Sequence, residues 1–248
     1  AIIAFSDLPK LRGSFMVVNI MKAILWDMDG TLVDTEPLWG IATYEMSEAM
    51  GRRITPEVRE LTVGGTTENT VRLCANFADL RLSEDDVTHW VQWMFRRVGQ
   101  LFDTKLPFRP GVTTVLQEAL DAGIPMALVT NTARVLTDQA LKTIGRRYFE
   151  VTVCGDEVSE GKPAPDIYYA ASTQLGLHPD DCLVFEDSRT GMTAAYTAGC
   201  RVVGVPTDSD LDTPREVPLL RDLTGGEADL SAFNLGRVRN LYVNYPQR

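Results

Sequence analysis

The sequence predicts an α/β protein: a doubly wound parallel sheet with an all-helical segment inserted after its first strand. Three observations point there. From residue 112 onward, short uninterrupted apolar runs alternate with segments of helical periodicity, the pattern of strands buried on both faces. Gly123, Gly145, Gly176 and Gly199 each stand where a helix should end, the usual place for a C-terminal glycine. Residues 35–106 carry apolar residues at three- and four-residue spacing and no clear strand.

In chain order, Ala23-Ile24-Leu25-Trp26 is the first strand. Helices are predicted over 39–50, 67–77 and 83–102. The last opens with Ser83, a capping residue, and acids in its first turn. Trp90, Trp93 and Met94 share a face there and read as helix packing. Asp34 reads as the cap of the first inserted helix. A proline-rich connector, Leu106-Pro107-Phe108-Arg109-Pro110-Gly111, closes the block. Helix 112–121 then precedes strand 126–129, helix 135–144 precedes 149–153, helix 166–175 precedes 183–185, and helix 190–198 precedes 202–205. The expected domains are an N-terminal extension (1–20), a sheet core (21–34 and 107–248) and a helical domain (35–106). The stretch after Pro206 is weakly patterned.

Composition bounds the function. The chain has 248 residues, 44% hydrophobic and 23% charged, which suits an ordinary soluble protein. A net charge of −10 disfavours nucleic acid and anionic membranes as partners. No apolar run approaches the ~20 residues of a membrane span. Lys10 and Arg12 interrupt the apolar N-terminal patches, which lack the order of a signal peptide. Cys74, Cys154, Cys182 and Cys200 form no CxxC pair and read as buried reduced thiols of a cytoplasmic protein. His89 and His178 stand outside any motif and read as a helix-surface and a loop residue.

The chemistry concentrates at the strand ends, where open α/β sheets bind ligands. The first strand runs into Asp27-Met28-Asp29-Gly30. Residues two apart in an extended segment project to one side, so Asp27 and Asp29 face one spot. Two close carboxylates repel, which suits a hard cation, a nucleophile or a proton shuttle. The other strands lead to Thr130-Asn131, to Gly161-Lys162-Pro163 and to Glu186-Asp187-Ser188.

This order resembles the haloacid dehalogenase superfamily of phosphotransferases. Asp27-Met28-Asp29-Gly30-Thr31-Leu32-Val33-Asp34 resembles its first motif. Leu128-Val129-Thr130-Asn131 resembles the second and Gly161-Lys162-Pro163-Ala164-Pro165 the third. Val184-Phe185-Glu186-Asp187-Ser188, followed by Gly191, resembles the fourth. The likeness spans residues 22–206, and the helical insertion resembles the cap of the β-phosphoglucomutase and sugar-phosphate phosphatase branch. It implies a Rossmann-like core and a Mg²⁺-dependent phosphatase of a small phosphorylated metabolite, a sugar or polyol phosphate, working as a monomer or small homo-oligomer. It implies that Asp27, the Asp29 carbonyl and Asp187 bind the metal, with Glu186 bound directly or through water. Asp27 is then the nucleophile, Asp29 the acid and base. Thr130, Asn131 and Lys162 hold the phosphoryl group.

The segment Val63-Gly64-Gly65-Thr66-Thr67-Glu68 looks like the cap loop that meets substrate, with Gly65, Thr66 and Thr67 as specificity residues. In the mutase an arginine of this loop grips the second phosphate. Here that place holds Thr67, and Arg72 follows five residues later, which favours a phosphatase over a phosphomutase. A non-catalytic metabolite-binding protein is a third reading, opposed by the complete acid set. Carbon–halogen displacement needs no leaving-group acid or metal, so Asp29 and Glu186-Asp187 argue against a dehalogenase.

Overall fold

Five strands, β1 (Ala23–Trp26), β2 (Met126–Thr130), β3 (Val151–Cys154), β4 (Cys182–Glu186) and β5 (Arg201–Gly204), form one sheet in the order β3-β2-β1-β4-β5. All pairings are parallel, with Ile24 opposite Met126 and Leu183. The computed structural model describes residues 20–63, 66–104, 106–207 and 211–246. The expected extension at 1–20 lies outside them, apart from Ile20.

The sheet is covered on both faces, so its strands read as continuous apolar runs. Along β1, Ile24 and Trp26 join one hydrophobic cluster, and Ala23 and Leu25 join another, the two-residue alternation of a strand. The first cluster includes residues of α5 (Val112–Asp121) and α6 (Arg134–Ile144); the second includes residues of α7 (Asp166–Gln174) and α8 (Arg189–Ala198). The chain thus winds outward from β1 on one face, then returns to β4 and winds the other way on the second. β1 and β4 flank the switch point, where a crevice opens at their carboxyl ends.

Among the described residues between β1 and α5 lie four helices: α1 (Glu36–Ala49), α2 (Pro56–Glu60), α3 (Thr67–Phe77) and α4 (Glu84–Thr104). Their buried side chains, among them Met46, Val71, Met94 and Phe102, belong to the same cluster as α5 and α6, and α4 packs on α6. Trp90 and Trp93 pack half-buried against it. The stretches entering and leaving the block run side by side. Asp34 N–H donates to Pro107 O (2.9 Å) and Arg109 N–H to Leu32 O (2.8 Å).

Three local expectations change. The short helix α2 goes unseen in the sequence, because five residues are too few to show a period; Thr55 caps it, accepting from Val58 N–H. Asp34 is not the cap of α1: Thr35 holds the N-cap position, and its hydroxyl bonds elsewhere. The weakly patterned C-terminal stretch forms α9 (Leu220–Thr224) and α10 (Leu235–Val243). Their apolar residues, such as Val238 and Tyr242, add to the α5 side of the core.

Candidate active site

Asp27 is the first residue past β1, and its N–H still donates to Phe185 O of β4 at 3.2 Å. Strand pairing therefore carries it to the crevice floor. The chain then folds tightly, with Leu32 N–H and Val33 N–H both donating to Met28 O. Gly30 permits this at φ +86°, and a Cβ there would stand 2.1 Å from Asp187 Oδ2. Glycine is required on both counts.

A buried ion cluster lies at the centre. Lys162 Nζ donates to Asp27 Oδ1 (2.6 Å), to Glu186 Oε1 (2.5 Å) and to the Val129 carbonyl (2.8 Å). Lys162 is itself held by Asn131. Its N–H donates to Asn131 Oδ1 (2.8 Å), and Asn131 Nδ2 donates to its carbonyl (3.0 Å). Glu186 ends β4 and is wholly buried. Tyr168 OH donates to its Oε1 (2.6 Å), and Ser188 Oγ donates to its Oε2 (3.2 Å). Gly191 leaves room for this carboxylate, since a Cβ there would approach all three of its terminal atoms to 2.0 Å. Asp187 accepts from Thr31 Oγ1 at 3.1 Å.

Asp29 sits beside this cluster with a separate set of partners. Its Oδ1 accepts from Thr35 Oγ1 (2.7 Å), and its Oδ2 accepts from Thr132 Oγ1 (2.7 Å) and Thr130 Oγ1 (3.3 Å). Three hydroxyl donors, one of them at the entry to α1, hold the carboxylate in place.

Ligand atoms of Asp27, Glu186 and Asp187 lie within 4.8 Å of one another. One ammonium faces three carboxylates, so about two negative charges remain uncompensated if all ionise. The titration behaviour reflects this. Burial, then the Glu186 charge, raises Asp27 well above the ordinary carboxylate range, against the opposing pull of Lys162. Burial and Glu186 push Asp187 up to about 7. Burial alone would lower Lys162, but the charges of Asp27 and Glu186 outweigh it and keep the ammonium protonated. A compact all-oxygen donor set with surplus negative charge fits a hard divalent cation such as Mg²⁺.

The structure thus brings Asp27, Asp29, Thr130, Asn131, Lys162, Glu186 and Asp187 together from four strand ends. Gly65 lies outside the described residues. Thr66 caps α3, its hydroxyl accepting from Asn69 N–H at 3.2 Å, and Thr67 begins that helix. Arg72 is paired with Glu84 at the start of α4. Sequence reading missed Thr35, Thr132 and Tyr168, and placed Thr31 and Ser188 within motifs without giving them a role. Thr132 had a signal, because Thr130 and Thr132 repeat the two-residue spacing of Asp27 and Asp29. Tyr168 had none beyond its place six residues after Lys162.

Residues 24–205 match the family described as haloacid dehalogenase-like hydrolase. A phosphorylated carbohydrates phosphatase of Thermotoga maritima is 31% identical over 187 residues, covering 75% of this chain and 85% of that protein. A probable pseudouridine-5'-phosphatase of Drosophila melanogaster is 35% identical over 199 residues, covering 77% and 84%. A crystal structure of a mutant of CbbY from Rhodobacter sphaeroides in complex with xylulose-(1,5)bisphosphate superposes with a TM-score of 0.65 at 29% identity, covering 78% of this chain and 93% of that one.

Proposed function

The chain belongs to the haloacid dehalogenase-like hydrolases and is a phosphoric monoester hydrolase, and we propose that it releases phosphate from a small phosphorylated sugar or polyol through an aspartyl-phosphate on Asp27. The observation that carries this reading is the Asp27–Lys162–Glu186 cluster with Asp187 beside it, a site poised for one divalent cation and one phosphoryl group. The names of the relatives, which include carbohydrate phosphatases, support the substrate class.

Asp27, the Asp29 carbonyl and Asp187 would hold Mg²⁺, with Glu186 bound directly or through water. Once bound, the ion supplies charge neutralisation at the phosphoryl oxygens. In the first step an Asp27 carboxylate oxygen attacks phosphorus, the bond to the leaving oxygen breaks, and Asp29 protonates that oxygen. In the second, Asp29 takes a proton from a water that attacks phosphorus, and the Asp27–phosphorus bond breaks to restore the carboxylate. Lys162 keeps a fixed positive charge beside Asp27 and the phosphoryl group. Thr130 Oγ1 and the Asn131 N–H complete the oxygen cradle.

Residues 35–106 act in this reading as a cap domain on the core formed by 21–34 and 107–248. The paired strands of chain at Asp34 and Pro107 serve as its hinge, and the segment around Gly65, Thr66 and Thr67 reaches the substrate. Thr67 at the place of the mutase arginine favours hydrolysis over phosphomutation. Four buried free thiols support a reducing compartment, the cytoplasm, and no helix among the described residues is long and apolar enough to cross a membrane.

The test is phosphate release across a panel of sugar, polyol and nucleoside monophosphates, with Mg²⁺ and with chelator. Magnesium-dependent release from a sugar or polyol phosphate is the expected result. Isomerisation of a hexose phosphate without release would turn the reading to a mutase, and no turnover on any compound would sink it.

A further inference from the structure

Tyr168 has no part in the chemistry above, yet it is fully buried with its hydroxyl on the most enclosed carboxylate of the site. It lies in the first turn of α7, which packs on β2 and β3, six residues after Lys162. Glu186 Oε1 thereby takes two donors, Lys162 Nζ and Tyr168 OH, while Oε2 takes Ser188 Oγ at 3.2 Å and the Ser188 N–H at 3.5 Å. A carboxylate offers roughly four lone-pair positions. Donors on both oxygens, the long Ser188 N–H contact the weakest of them, fix the plane in which the carboxylate lies.

We propose that Tyr168 is a positioning residue for the divalent-metal site: its O–H fixes the orientation of the Glu186 carboxylate beside Asp27 and Asp187. The inference rests on the metal-dependent reading above. Lys162 cannot do this alone, because its ammonium is shared with Asp27 and the Val129 carbonyl. Without Tyr168, Glu186 Oε1 would keep a single donor, Lys162 Nζ, and the carboxylate would be held less firmly on that side. The tyrosine ring has a second task, since Lys162 Nζ stands 5.4 Å from its centroid, within reach of the ring face. Phenylalanine keeps that ring and removes only the O–H, so Tyr168→Phe isolates the hydrogen bond.

Calorimetric titration of the full chain with Mg²⁺, with no substrate present, tests this on the wild type, Tyr168→Phe and Tyr169→Phe. Tyr169 is the exposed neighbour and serves as control. Loss of an outer partner of a metal ligand weakens affinity about 10–100-fold; that is the expected change for Tyr168→Phe, with Tyr169→Phe equal to wild type. Equal Mg²⁺ affinity in Tyr168→Phe and wild type would overturn the proposal while leaving the metal site standing. Absence of Mg²⁺ binding in the wild type would overturn both. A second measurement needs no variant at position 168. Mg²⁺ should perturb the tyrosine ultraviolet band of the wild type and of Tyr169→Phe, and a flat difference spectrum in both would overturn the proposal even if Tyr168→Phe did not fold.

Discussion

The crevice at the ends of β1 and β4 and the helical block of α1 to α4 handle charge in opposite ways. In the crevice, the side chain of Lys162 is 3% exposed and is bonded to two carboxylates and a carbonyl. In the block, Arg72 is 44% exposed and pairs with Glu84, which is 83% exposed. Exposed pairs contribute about 0–1 kcal/mol. A buried pair costs desolvation, and its loss leaves an uncompensated charge worth about 3–5 kcal/mol. The crevice therefore trades stability for a fixed electrostatic arrangement, as a site for phosphoryl chemistry needs. The block keeps most of its charges in solvent, where they can change with little cost. The difference supports the proposal that chemistry lies on the sheet and selectivity in the insertion.

Four perturbations break or sharpen this contrast. Asp27→Asn should have the largest effect, lowering turnover by on the order of 10⁴–10⁶, as loss of a nucleophile does. Circular dichroism should show an unchanged fold, and substantial residual turnover would remove Asp27 from the nucleophile role. Lys162→Met should follow. It strands Asp27 and Glu186 without their ammonium, and urea unfolding in chelator should register a loss of about 3–5 kcal/mol. A loss under ~1 kcal/mol would place this pair in the surface regime of the block.

The third perturbation is pH. Asp187 is pushed up to about 7 in the folded chain, whereas an unfolded aspartate titrates near ~3.9. Between these values the folded state keeps a proton that the unfolded state has lost. Stability of the metal-free protein should thus fall as pH rises through this window and level off above it. Mg²⁺ favours the deprotonated carboxylate, so it should restore the melting temperature on the alkaline side. Melts of wild type against Asp187→Asn isolate the effect, and parallel pH profiles would count against it. The smallest change is expected from Arg72→Ala, at most about 1 kcal/mol with unaltered turnover. A fall in KM-dependent rate there would instead bring α3 into contact with substrate.

Much of the fold was legible in the sequence because the physical signal is local. The β1 run 23–26 is apolar at every position, as burial on two faces demands. The turn after it is written in Gly30, because no other residue tolerates both the backbone angle and the Asp187 carboxylate. The helix 67–77 shows its apolar stripe within eleven residues. The late helices α9 and α10 were not legible. The burial of α10 depends on a partner, α5, more than a hundred residues earlier, as the bond from Leu235 N–H to Glu118 Oε2 shows.

The same boundary runs through the site. Its charged groups were legible because each follows a strand in a motif with recognisable spacing. Their partners were not. Nothing in the chain near Glu186 announces Tyr168, nothing near Asp29 announces Thr35 as a donor, and the side chain of Asn131 proved to hold the Lys162 backbone.

Residue order alone determined the five strands, the longer helices up to β5 and which strand ends bear acids, because periodicity, glycine placement and apolar runs act within a few residues. Tertiary structure decided that the ammonium of Lys162 bridges Asp27 and Glu186, and which hydroxyls orient each carboxylate. Those contacts join residues as far as 156 positions apart, and only the packing of helices on both faces of the sheet sets their distances.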